Sequence, residues 1–141
     1  MSQKVLICGK AATSERKGEV IMGFWIFMFC MVVLTPVLMM IFGAVFVKYP
    51  PEDINNVYGY RTRRSMKDQQ IWDFAQRHWG KCAFYTGLAG LMTAVPCMLP
   101  CLGGSVDAVG IWGGVVCTVV AAAVIGAPIF LTERELKRLY F

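Results

Sequence analysis

The chain has 141 residues, of which 57% are hydrophobic and only 16% charged, and its formal net charge is +5 at pH 7. An ordinary soluble domain carries about 25% charged residues, and the polar remainder here is too small to cover a soluble core. Three stretches of 28, 25 and 25 residues (20–47, 82–106 and 108–132) contain no charged residue. Because about 20 helical residues cross the hydrocarbon core of a bilayer, these features exclude an ordinary soluble enzyme. They predict an all-α membrane protein with three transmembrane helices.

The N-terminal part is predicted to be a polar tail over residues 1–19, followed by a membrane module over residues 20–141. We expect the tail to be at best partly ordered. The first span covers about residues 20–47, and Pro36 near its middle predicts a kink. Its length far exceeds the 7–15 apolar residues of a signal peptide, so we expect this helix to be retained.

The segment 48–81 is the longest polar stretch after the tail. Tyr49-Pro50-Pro51 predicts the end of the first helix, because proline has no backbone N–H to donate. Ser65 and Asp68 have the form of a capping box and predict a helix that begins there. Apolar residues then recur at helical spacing, at Ile71, Trp72, Phe74, Ala75, His78 and Trp79. The pattern predicts an amphipathic interfacial helix leading into the second span.

The second and third spans are predicted at about residues 82–100 and 109–132, with a short turn between them. Both are rich in glycine and alanine, which predicts close packing between the small-residue faces of these two helices. Cys97 and Cys101 lie four residues apart, on one helix face. A packing role is favoured for them, since a disulfide inside an intact helix is strained and no ligand of another type joins them. No metal site and no cofactor are predicted.

The distribution of basic residues predicts the orientation. Segment 48–81 and the residues after 132 together carry ten lysines and arginines, against four in the N-terminal tail. The positive-inside rule therefore places the loop and the C-terminus in the cytoplasm and the N-terminus outside.

The loop contains a short motif made of Gly59, Tyr60, Arg61, Thr62 and Ser65. Arg63, Arg64 and Lys67 are interpreted as contacts to anionic lipid headgroups, with Trp72 and Trp79 as interfacial anchors. For Arg61 two interpretations stay open. It either contacts headgroups in the same way, or is ordered at the mouth of the bundle against a carboxylate or a ligand.

The motif formed by Asn55, Gly59, Tyr60, Arg61, Thr62, Ser65 and Trp72 resembles that of the SdpI family of bacterial membrane proteins. The resemblance implies a multi-pass protein of the bacterial inner membrane, with these seven residues as the binding motif. It also implies a role like that of the named member, an immunity factor against a secreted toxic peptide that also holds a repressor at the membrane. On this resemblance we expect the chain to correspond to the final three-helix module of that member, without its additional helical region.

The sequence favours a protein without enzymatic activity, and no catalytic residue is predicted, since no charged residue that could act as an acid or base lies within a span. We expect protection against, or sensing of, membrane-active peptides. The expected partners are anionic headgroups, a toxic peptide or a cytoplasmic regulator, and a second copy of the chain, but no nucleic acid. The alternatives are an oligomeric small transporter or channel, and a membrane-rim enzyme or lipid-binding protein that uses the Arg61 motif.

Overall fold

The computed structural model describes residues 2–140, and the side chains of residues 14–140. Helix α1 covers Ser2–Lys48, α2 covers Gln69–Met98 and α3 covers Val106–Tyr140, with a single 3-10 turn at Leu99–Cys101 between the last two. Within the described residues, Ser14–Lys48, Gln69–Cys101 and Val106–Tyr140 are long and apolar enough to cross a membrane. The predicted all-α fold with three spans is confirmed.

Helix α1 includes the described part of the predicted polar tail, from Ser2 onward, and the expected partial order of the tail stays a prediction. One local prediction is wrong. Helix α2 begins at Gln69 and not at Ser65, because Asp68 is the capping residue: its backbone is extended and its carboxylate accepts from the Gln69 amide at 2.7 Å. The amphipathic segment and the second span then form one continuous helix.

Close packing involves α1 and α2 as well as the predicted pair, α2 and α3, where a Cβ atom placed on Gly90 would lie 2.4 Å from Cγ2 of Val124. A Cβ atom placed on Gly43 would lie 2.5 Å from the backbone nitrogen of Phe84 and 2.6 Å from the carbonyl oxygen of Gly80. Small residues of α3 partly face outward, since Gly114 and Gly126 have no neighbour within 4 Å of an added Cβ. Glycine is therefore needed where α2 contacts both of its neighbouring helices.

The end of the bundle that contains the 3-10 turn is closed by two tryptophans. The indole N–H of Trp25 donates to the Met98 carbonyl at 3.1 Å, and that of Trp112 donates to the Cys97 carbonyl at 2.8 Å. These carbonyls belong to the last turn of α2, where the chain passes from the α-helix into the 3-10 turn. Helices α1 and α3 thus each cap the C-terminus of α2.

Candidate functional site

The loop between α1 and α2, residues 49–68, lies on the opposite end of the bundle and is fixed by two buried side chains of α2. Trp72 is fully buried, and its indole N–H donates to the Pro51 carbonyl at 3.0 Å. Gln76, one turn further along, is also fully buried. Trp72 therefore attaches the loop to α2, which does not fit the interfacial-anchor role predicted for it, because its ring contacts protein and not headgroups.

The carboxamide of Gln76 forms two hydrogen bonds with the backbone of Tyr60. Its Oε1 accepts from the Tyr60 amide at 2.7 Å, and its Nε2 donates to the Tyr60 carbonyl at 2.9 Å. The preceding Gly59 has φ +114°, which favours glycine, and a Cβ there would lie 3.0 Å from Gln76 Oε1. Gly59 thus permits both the turn and the close approach of the loop to α2.

Thr62 and Ser65 form a reciprocal pair of hydrogen bonds. The Thr62 amide donates to Ser65 Oγ at 2.8 Å, and the Ser65 amide donates to Thr62 Oγ1 at 3.2 Å. Ser65 Oγ lies 3.0 Å from the Tyr60 carbonyl and is fully buried. This is capping-box geometry around a single turn within the loop, and it occupies the Ser65 side chain that was predicted to cap α2.

The Tyr60 side chain links the loop to α3. Its ring is buried and stacks on Trp79 with centroids 6.2 Å apart. Its hydroxyl lies 3.1 Å from Oε1 of Glu133 and 3.4 Å from the carbonyl of Ile129. Burial, and then the negative charge of Glu133, raise the pKa of the Tyr60 phenol above its ordinary value of about 10, so the group is a neutral hydrogen-bond donor.

Glu133 also forms an ion pair with the loop, through Arg64 and not Arg61. The Arg64 guanidinium donates to Oε2 of Glu133 at 2.7 Å. Arg61 is exposed and donates to the carbonyl of Asn56. Arg64 thus joins the loop to α3, and because its side chain is 41% exposed, its predicted headgroup contact stays a prediction.

The remaining motif residues shape the loop or lie at its surface. Asn55 Oδ1 accepts from the amides of Val57 and Tyr58, both at 3.0 Å, in an Asx turn. Arg63 and Lys67 are exposed, and their predicted headgroup contacts stay a prediction. Trp79 is half-buried, between Tyr60 and the edge of the Phe46 ring.

Sequence reasoning missed Gln76 and the role of Glu133. Gln76 lies four residues after Trp72, so a polar amide on the apolar side of the helix was the available signal. Glu133 is the first charge after the third apolar stretch, and nothing in the sequence pairs it with Arg64, 69 positions earlier.

The arrangement is suited to binding. The loop, held by its hydrogen bonds to α2, presents the exposed side chains of Arg61 and Arg63 at one end of an apolar bundle, and arginine pairs readily with carboxylate or phosphate.

A second feature is an open apolar groove between α2 and α3, with a volume of about 590 Å³. Its lining is Thr86, Ala89, Gly90, Thr93, Cys97, Trp112, Val115, Val116, Val119, Val120, Ala123, Val124 and Ala127. No group of residues that could hold a metal ion occurs in the part of the chain with described side chains.

Comparison with known proteins matches residues 52–131 to the SdpI/YfhL protein family. The uncharacterized protein YfhL of Bacillus subtilis (strain 168) is 49% identical over 51 residues, which are 36% of this chain and 46% of that relative. The matched part therefore spans about half the length of the curated relative. No solved structure matches. Since the family match covers more than half of the chain and all seven motif residues from Asn55 to Trp72, this chain belongs to the SdpI/YfhL family of membrane proteins.

Proposed function

We propose that this protein protects the bacterial cytoplasmic membrane against membrane-active peptides by binding their apolar segments. The family match is the observation that carries the proposal, because it extends over the locked loop, α2 and most of α3, which together contain both candidate surfaces. Segment 48–81 and the C-terminus face the cytoplasm in this proposal, and the N-terminus lies outside, in accordance with the distribution of basic residues.

The groove between α2 and α3 supports binding of an apolar helix. Four of its residues, Ala89, Gly90, Ala123 and Ala127, are small, and small residues let a second helix approach closely in a bilayer. Arg61 and Arg63 extend from the loop and are available to a carboxylate or a phosphate. Binding of a peptide along the groove lowers the amount of free peptide that can damage the membrane.

Survival of a peptide-sensitive bacterium tests the proposal. Cells that produce the wild-type chain should survive a higher peptide concentration than cells with an empty vector. Ala123→Leu adds bulk inside the groove and should abolish the gain, whereas Ala122→Leu, which is exposed but outside the groove, should retain it. Arg61→Ala tests whether the loop contributes. Immunoblots of the membrane fraction control for abundance.

Unchanged survival with the wild-type chain would refute protection, and equal loss with both leucine variants would refute the groove as the site. Proteoliposomes distinguish the main alternative. Flux of an ion or dye through vesicles that contain the chain, in the absence of peptide, would favour an oligomeric transporter or channel.

A further inference from the structure

A second polar surface lies on the outer side of α2, where Asp73, Phe74, Arg77, His78 and Lys81 line a shallow cavity of about 390 Å³. This cavity is separate from the groove, and it borders the loop through Gln69, whose Nε2 donates to the Glu52 carbonyl and to Asp73 Oδ1. Arg77 and Lys81 are exposed, and among residues 14–140 the ion pairs of the structure involve other cations. Two positive charges are thus presented to the surroundings from one helix.

The cavity lies at the edge of the hydrocarbon region. Lys81 is the last charged residue before the uncharged stretch 82–106, and Arg77 precedes it by about one turn, or about 6 Å along the helix axis. Long lysine and arginine side chains at this spacing reach the same anionic group. A phosphate at the level of the headgroups therefore fits between them.

The apolar surface below the cavity has the length of one leaflet. Tyr85, Leu88 and Met92 follow Lys81 at intervals of four, three and four residues, and all three are exposed. Lys81 and Met92 are about 16 Å apart along the helix, which is about half of the 30 Å hydrocarbon core. An acyl chain that begins at Lys81 runs along this face to the middle of the bilayer.

Asp73 lies about one turn above Arg77, further from the hydrocarbon. Its Oδ1 accepts from Gln69 Nε2 at 2.9 Å, and a carboxylate has capacity for further donors. A purely anionic headgroup would be repelled at this end of the cavity, whereas a primary ammonium would be attracted and would donate an N–H to the carboxylate, which a quaternary ammonium cannot do. His78 does not take part, since its ring stacks on Phe74 with centroids 5.3 Å apart.

We propose that this face of α2 binds a phospholipid with a primary amine in its headgroup. The phosphate lies between Arg77 and Lys81, the ammonium contacts Asp73, and an acyl chain follows the exposed residues from Tyr85 to Met92. The proposal is independent of protection against peptides, because it uses neither the groove nor Arg61.

Native mass spectrometry of the full chain in detergent, with defined lipids added, tests the inference. Phosphatidylethanolamine should be retained in preference to phosphatidylglycerol and phosphatidylcholine. Arg77→Gln and Lys81→Gln should each weaken its binding about fivefold, as expected for loss of one charge near a membrane surface. Asp73→Asn should remove the preference over phosphatidylglycerol while lipid binding persists. Arg134→Gln, which removes an exposed charge outside the cavity, is the matched control.

Three results would overturn the proposal. Equal loss of binding in Arg134→Gln and Lys81→Gln would show diffuse electrostatic attraction in place of a site. Equal retention of all three lipids by the wild type would show that Asp73 does not select the headgroup. Displacement of the lipid by millimolar inorganic phosphate would show that the cations bind a free anion. Circular dichroism verifies that each variant keeps the helix content of the wild type.

Discussion

Replacement of Gln76 by methionine tests whether the loop is held by α2 as described. The change keeps the approximate volume of a fully buried side chain but removes both hydrogen bonds to Tyr60. The Tyr60 amide loses its acceptor, which costs roughly 1–3 kcal/mol, and loss of the second bond costs about 1 kcal/mol. The Tyr60 carbonyl keeps Ser65 Oγ as a donor at 3.0 Å. We therefore expect the free energy of loop opening to fall by about 2–4 kcal/mol.

Amide hydrogen exchange of the protein in detergent micelles measures this change at the affected group. Exchange of the Tyr60 amide should accelerate roughly 30- to 900-fold, which is the same energy expressed as a ratio of rates. Amides in the middle of α1 should exchange as in the wild type, because the loop opens without unfolding the bundle. Gln70→Met, at an exposed position of the same helix, is the control. If both variants exchange alike at Tyr60, the proposed role of Gln76 is refuted.

Three further outcomes follow from the site and the helix packing. A double-mutant cycle with Arg64→Gln and Glu133→Gln should give a coupling energy of at most about 1 kcal/mol, because both side chains are partly exposed. The coupling energy should fall when salt is added. A coupling energy that does not change with salt would contradict this geometry. Gly43→Ala should lower the free energy of unfolding in mixed detergent micelles by about 1–3 kcal/mol, because the added Cβ contacts the backbone of α2. Gly23→Ala is the control and should have no such effect, since the space around Gly23 is open. The raised pKa of Tyr60 means that the unfolded chain ionises first, so stability is complete below about pH 10 and declines as pH rises further; a Tyr60→Phe variant with an equally steep decline would exclude Tyr60 as its source.

The sequence was sufficient to predict the three membrane spans but not the side-chain contacts of the loop. Each uncharged stretch is a local property of the chain, and burial of apolar length in a bilayer follows directly from it. The partners of Arg64 and Tyr60 are not local, because Glu133 lies 69 and 73 positions away from them. Sequence reasoning identified an ordered arginine near the motif but considered Arg61, since the identity of the paired arginine depends on how the loop turns at Gly59.

The close contact of α2 with α1 was not predicted, for a different reason. Glycine and alanine occur on both α2 and α3, and composition alone does not show which face meets which neighbour. The structure directs Gly80 toward α1 and leaves Gly114 open. The start of α2 was misplaced because Ser65 and Asp68 both suit a capping position, and the hydroxyl is instead used by Thr62.

The ion pair between Arg64 and Glu133 has a consequence for biosynthesis. The loop leaves the ribosome before α2 and α3, yet its acidic partner is added 69 residues later. At about 5–20 residues per second, this interval lasts about 3–14 s. During that time the Glu133 carboxylate is not yet present, so neither Arg64 nor the Tyr60 hydroxyl has its partner on α3. Contacts of the loop with α2 can form before the third helix is made, whereas its contacts with α3 form only afterwards.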